Sequence, residues 1–147
     1  MRDAPVPVLG VTPARGLSSK ESFVPSNIAS LRLQAFQRQN GRCFYCSVSM
    51  WLQPPSELVA TPSTSAGLHR LRCTAEHLIA RSDGGRNIAD NIVAACACCN
   101  STRHKKKRPP SPAAYRQQVA RWVLCRAWHH AWVYDLGLVH QCGIGPA

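Results

Sequence analysis

Two Cys-x-x-Cys pairs, Cys43/Cys46 and Cys96/Cys99, stand about fifty residues apart in this chain. Thiolates at i and i+3 on a tight turn reach one tetrahedral ion at about 2.3 Å, and two such turns complete a shell closed to water. The pattern is that of a structural zinc. The run Cys96-Ala97-Cys98-Cys99 offers both Cys98 and Cys99 as fourth ligand, and the spacing of the first pair favours Cys99. Between and just after the pairs lie Glu76-His77, Asn91, Asn100 and His104, types suited to holding a harder metal and activating water. An imidazole titrates near neutral pH, so His77 is the natural general base. Asn100 and His104, at i and i+4, share one face of any helix that carries them. Glu76 adjoins His77, and in an extended strand the two side chains point apart unless the strand bends.

Those groups have to be positioned by short elements. Ser26 or Asn27 caps a helix running to about Gln39, with Ile28, Leu31, Ala35 and Phe36 as its apolar stripe and Asn40-Gly41 as its stop. The first cysteine pair falls on a turn. Residues 53–67 read as a Pro/Ser/Thr loop. Leu68 to Leu78 reads as a strand, Ser82-Asp83-Gly84-Gly85 as a turn, and Asn91-Ile92-Val93 as a short extended or turn segment. A helix is expected from Asn100 through the lysines until Pro109-Pro110 breaks it. Ser111 and Pro112 open another, with Tyr115, Val119, Trp122 and Val123 along one face. The stretch from Cys125 onward crowds aromatics and histidines together without a periodicity that places them.

The 147 residues suit one domain with tails: a tail over 1–25, expected disordered, a core over 26–110 and a helical extension over 111–147. Lys and Arg number 18 against 7 Asp and Glu, giving a net charge of +11 that favours a polyanionic partner. Three of those 7 acids, Glu76, Asp83 and Asp90, lie inside the candidate site. Eight cysteines raise the possibility of a disulfide scaffold, but residues 1–20 carry no apolar signal-peptide core. In a reducing cytoplasm paired Cys-x-x-Cys motifs bind metal more often than they oxidise, and Cys73, Cys125 and Cys142 read as buried or free thiols. No apolar run approaches a membrane span of ~18 residues. A zinc site, a candidate base with metal ligands and a strong positive charge together fit phosphodiester hydrolysis by a small metal-dependent nuclease.

The order Cys43-x-x-Cys46, Glu76-His77, Gly84-Gly85, Asn91-Ile92-Val93, Cys96-x-x-Cys99-Asn100 and His104-Lys105 resembles the zinc-containing branch of the HNH endonucleases, over about residues 30–110. The resemblance implies an α+β fold, a small ββα-metal core with a four-cysteine zinc site and flanking N- and C-terminal helices. It implies His77 as general base, Asn91 as the residue that holds the ββ loop and orients the His77 imidazole, and Asn100 with Glu76 as ligands of a catalytic Mg²⁺ or Mn²⁺. His104 matches a further ligand that only some members use. The implied reaction is hydrolysis of DNA, with RNA as the other possible target, leaving 5′-phosphate and 3′-hydroxyl ends. This chain departs from the pattern in having Asn100 at the third signature position, Glu76 where Asp is commoner, a long interval before His77, and Ala80 where a proline often follows.

Arg103, Lys105, Lys106, Lys107 and Arg108 form the densest basic run and, with Arg81 by the turn, are the candidate phosphate contacts. The competing reading is a zinc-stabilised nucleic-acid-binding protein without catalysis. Glu76-His77 with His104 discriminates against it, since a binding module has no need of them.

Overall fold

The computed structural model describes residues 27–53, 58 and 65–140. The expected tail over 1–25, most of the expected loop over 53–67, and Cys142 lie outside the described residues. The elements are α1 (Ile28–Arg38), α2 (Ser65–Leu68), β1 (Cys73–His77), β2 (Ile92–Cys96), α3 (Ala97–His104), α4 (Pro112–Leu124) and α5 (Ala131–Asp135). The result is the expected α+β arrangement, consistent with a small ββα-metal fold. Strands β1 and β2 pair antiparallel, with Cys73 opposite Cys96, Glu76 opposite Val93 and His77 opposite Ile92.

Local chemistry fixes most boundaries. The Asn27 side chain accepts from the Ala29 amide at 3.1 Å and starts α1, while Asn40 and Gly41, both left-handed, end it. Leu31 and Ala35 bury, whereas Ile28 stays 37% exposed, so the apolar stripe begins one turn later than expected. Gln39 then ties α1 to β2 by a reciprocal pair, its amide donating to the Ala94 carbonyl at 2.8 Å and accepting from the Ala94 amide at 2.9 Å. Cys96 ends β2 and also caps α3, accepting from the Cys99 amide at 3.4 Å.

Three expectations about elements are corrected. The strand expected over Leu68–Leu78 is confined to Cys73–His77, because Leu68 and Leu71 bury at the i, i+3 spacing of a helical turn rather than alternating. Helix α3 begins at Ala97, not Asn100, and stops at His104 rather than continuing through the lysines. Continuing would have stacked Arg103 on Lys107 and His104 on Arg108 at i, i+4, which is unfavourable between like charges. In α4, Tyr115 and Val119 bury but Trp122 remains 50% exposed.

The core runs from Ala35 through Val48, Leu71 and the cysteines to Tyr115, Val119 and Val133. Residues 125–140, unplaced by sequence, close over it: Val139 bridges to Val48, and His140 lies 2.8 Å from the Ser49 hydroxyl. Among the described residues no helix is long and apolar enough to cross a membrane.

Candidate active site and metal centres

Cys43, Cys46, Cys96 and Cys99 converge from the turn after α1 and the β2–α3 junction, their sulfurs all within 4.8 Å of one another and all four residues buried. Cys46 and Cys96 Sγ stand 3.8 Å apart. Four sulfurs on a tetrahedral ion at about 2.3 Å are about 3.8 Å apart, so the donor set fits zinc. Cys99 is the fourth member; Cys98 faces elsewhere, its sulfur accepting from Arg70 Nη2 at 2.9 Å.

Burial pushes the Cys46, Cys96 and Cys99 thiols up. Burial acts on Cys43 too, but hydrogen bonds from Cys46, Cys96 and Cys99 outweigh it and hold this thiol well below its ordinary value. Binding zinc at these sulfurs would release the protons that the thiols carry. Sequence reasoning missed the outer layer. Trp128 Nε1 donates to Cys99 Sγ at 3.2 Å, and His129 Nε2 lies 3.3 Å from Cys46 Sγ. Burial lowers His129 to about 4, and nearby Arg70 adds to this against the opposing influence of Cys43, so the ring is neutral at pH 7. The Tyr115 hydroxyl donates to the Cys99 carbonyl at 2.9 Å, which fastens α4 to the same knuckle.

A second polar cluster lies where β1 meets α3. Glu76 is 1% exposed, and its Oε1 accepts from Arg103 Nη1 at 2.5 Å and from the Tyr45 hydroxyl at 3.0 Å. Burial, reinforced by the Glu76 charge, pushes the Tyr45 phenol far up, so it remains a donor. Oε2 lies 3.0 Å from His104 Nε2, and the His104 side chain is 40% exposed. Two cis ligands of an octahedral ion at about 2.1 Å are about 3.0 Å apart, so Glu76 Oε2 and His104 Nε2 fit a divalent ion with one side open to solvent. Asn100 donates through Nδ2 to Thr74 Oγ1 at 2.9 Å and to the Ala75 carbonyl at 3.2 Å, securing α3 to β1. Its oxygen, the atom a metal would use, has no protein partner among the described residues.

Glu76 turns toward α3 and His77 toward the loop after β1, as neighbours in a strand should. His77 Nε2 donates to Asn87 Oδ1 at 2.8 Å. An amide oxygen can only accept, so the proton sits on Nε2 and Nδ1 is the basic nitrogen. Asn87 was not visible from sequence as a partner of the ring. The resemblance had given Asn91 both the loop and the ring, and Asn91 contacts the loop backbone: its Oδ1 accepts from the Ile79 amide at 2.8 Å, and its Nδ2 donates to the Ile79 and Arg86 carbonyls at 3.1 and 3.0 Å. Glycines complete the loop. Gly84 is left-handed at φ 83°, and a Cβ on Gly85 would collide with the Ile79 carbonyl.

Arg103 departs from the expected basic run. At 5% exposure its guanidinium serves Glu76 and, through Nε and Nη2, the Pro110 carbonyl at 3.2 and 3.0 Å, so it is not an open phosphate contact. Lys105, Lys106, Lys107, Arg108 and Arg81 are exposed.

An antiparallel strand pair followed directly by a helix, with a carboxylate–imidazole pair and a four-cysteine cluster at its two ends, has the organisation of a ββα-metal module. Residues 65–106 match the HNH endonuclease family, a segment that spans β1, β2 and α3 and holds Glu76, His77, Asn91, Asn100 and His104. Over that segment the chain is similar to a family of nucleases. Cys43 and Cys46 fall outside the matched segment, so half of the zinc shell comes from this chain's own preceding turn. No curated protein and no solved structure gives a significant match to the chain.

Proposed function

We propose that this protein is a metal-dependent endonuclease that hydrolyses phosphodiester bonds in DNA. The observation that carries the reading is the pairing of Glu76 Oε2 with a half-open His104, 3.0 Å apart, next in sequence to a histidine whose Nε2 is committed to Asn87. His77 Nδ1 takes a proton from water as its oxygen attacks phosphorus. The bond to the 3′ oxygen breaks, and that oxygen gains a proton from solvent, leaving 5′-phosphate and 3′-hydroxyl ends. Glu76, His104 and Asn100 would hold Mg²⁺ or Mn²⁺, whose charge would stabilise the crowded phosphate oxygens. Asn91 fixes the loop that carries Asn87. Lys105, Lys106, Lys107, Arg108 and Arg81 contact backbone phosphates, each contact steepening the salt dependence of binding. Zinc at the four cysteines is structural. The nuclease domain spans 26–110 and the C-terminal extension 111–147, of which Trp128 and His129 lie over the zinc cysteines, and the free thiols suit the cytoplasm.

One observation favours a second reading, a binding protein without catalysis: Arg103 and Tyr45 already satisfy Glu76 in the absence of a divalent ion. Incubation with supercoiled plasmid, with and without Mg²⁺ or Mn²⁺, separates the two. Cleavage is expected only with the ion, and His77→Ala should lower its rate by about 10²–10⁴-fold while leaving duplex affinity unchanged. A protein that binds duplex but leaves plasmid intact at every ion concentration is the binding module.

A further inference from the structure

Helix α3 has a second face of which the hydrolytic reading uses only Lys105. Cys98, Ser101, Thr102 and Lys105 recur at i, i+3, i+4 and i+7 and form one stripe, turned away from Asn100 and His104. With His69 and Arg70 from the turn before β1, they line a cavity of about 360 Å³. That is at the small end of ligand sites, roughly 300–1,000 Å³, with room for a phosphate and its sugar.

The lining is one-sided in charge. Arg70 and Lys105 are cations, His69 is a further potential donor, and among the described residues no carboxylate lines the cavity. Arg70 is held in place by the buried Cys98 sulfur, 2.9 Å from Nη2. The Nε of the same guanidinium is buried with no hydrogen-bond partner, so Arg70 has more donors than the protein supplies acceptors. An oxyanion in the cavity would draw on the positive charge of the guanidinium. Ser101 gives its hydroxyl proton to the Ala97 carbonyl at 2.6 Å, which leaves Thr102 as the hydroxyl donor facing the space.

We propose that this cavity is a phosphoryl-binding site, distinct from the Glu76–His104 pair, that seats a backbone phosphate and its sugar on the opposite face of α3. It deepens the nuclease reading and rests on it for the identity of the polymer. A free nucleotide offers the same phosphoryl chemistry, so the source is decided by experiment.

The test uses full-length zinc-loaded protein without added Mg²⁺ or Mn²⁺. Amide resonances of Cys98, Ser101, Thr102 and Lys105 are followed during titration with inorganic phosphate, a mononucleotide, and a short duplex. Affinity for the duplex is measured against salt for wild type, Arg70→Gln and Thr102→Asp, with zinc content confirming the fold of each. The expected result is that phosphate and duplex both move the cavity amides. Arg70→Gln should flatten the salt slope by about 0.9, one phosphate contact on duplex DNA. Thr102→Asp, which fills the cavity with negative charge, should weaken duplex binding by about tenfold or more.

Amides that answer phosphate and mononucleotide but not duplex support the site with a free nucleotide as its ligand. Duplex that perturbs the His77 and His104 region alone, with an unchanged slope in Arg70→Gln, overturns the proposal and leaves the nuclease reading standing. Failure of every probe to move the cavity amides overturns it as well. A protein that binds phosphate there yet binds no duplex keeps the site and refutes the nuclease reading instead.

Discussion

The four-cysteine cluster and the Glu76–His104 cluster are both built on the two strands and α3, yet they are opposite kinds of site. The first is sealed: four buried sulfurs, with Trp128 and His129 laid over two of them. Nothing there leaves room for a water or a substrate oxygen. The second pairs an oxygen with an imidazole, is open on the His104 side, and already holds a competing cation in Arg103. Soft ligands in a closed shell make metal binding part of folding. A hard pair in an open shell, shared with an arginine, would make the metal binding proposed there an exchangeable event.

The largest effect that would break this contrast is at the sealed site. Cys43→Ser removes one thiolate from a shell whose metal contributes on the order of 10 kcal/mol in small zinc domains. Mass spectrometry under native conditions should show one zinc per wild-type chain and none in the variant, and limited proteolysis should degrade the variant. A variant that is metal-free yet protease-resistant would mean that the core alone carries the fold.

Arg103→Met sharpens the comparison from the other side. Removing the guanidinium leaves the Glu76 carboxylate buried with only Tyr45 and His104, a change that typically costs about 3–5 kcal/mol. A divalent ion can then replace the lost positive charge. Mn²⁺ should therefore raise the thermal midpoint of the variant by more than that of wild type. If Mn²⁺ leaves the variant's midpoint unmoved, the Glu76–His104 pair is a structural clasp and not an ion site.

What the sequence made legible follows the range of the interactions. The cysteine pairs and the Gly84-Gly85 turn are local, because thiolate spacing and a backbone that excludes Cβ leave their marks within a few residues. The choice between Cys98 and Cys99 needed the start of α3, which sends Cys98 to Arg70 and Cys99 to the cluster. Arg103 looks like its basic neighbours, though its position four residues after buried Cys99 was a usable sign that it points inward. Trp128 and His129 reach sulfurs 29 and 83 positions away in the chain, with no periodicity to announce the contact. Asn87 is hidden for another reason: a loop side chain has no face until Asn91 and the glycines fix the loop.

His129 gives the sealed region a pH signature. Its unfolded-state pKa is near 6.5 and its folded-state value about 4, so the unfolded chain binds the extra proton between those limits. Stability is fully present above pH 6.5 and is lost as pH falls toward 4, by about 3 kcal/mol from this group. Denaturant midpoints of the zinc-loaded protein between neutral and acid pH should fall more steeply for wild type than for His129→Gln, which keeps an N–H beside Cys46. Parallel curves would mean that the imidazole carries its charge against the thiolates.

The smallest effect belongs to Asn87, which acts only through His77. Asn87→Ala removes the acceptor that commits Nε2 to carrying the proton, so the neutral ring divides between its two tautomers. Nδ1 is then basic in only part of the population, and the ring also loses a hydrogen bond that fixes its orientation. Cleavage should slow by about tenfold, a loss smaller than that of His77→Ala because the base itself remains. Neither zinc content nor the dependence of rate on Mn²⁺ should change, since Asn87 touches neither cluster. A rate loss accompanied by loss of zinc would assign Asn87 to the stability of the loop alone and leave the tautomer of His77 without a fixed partner.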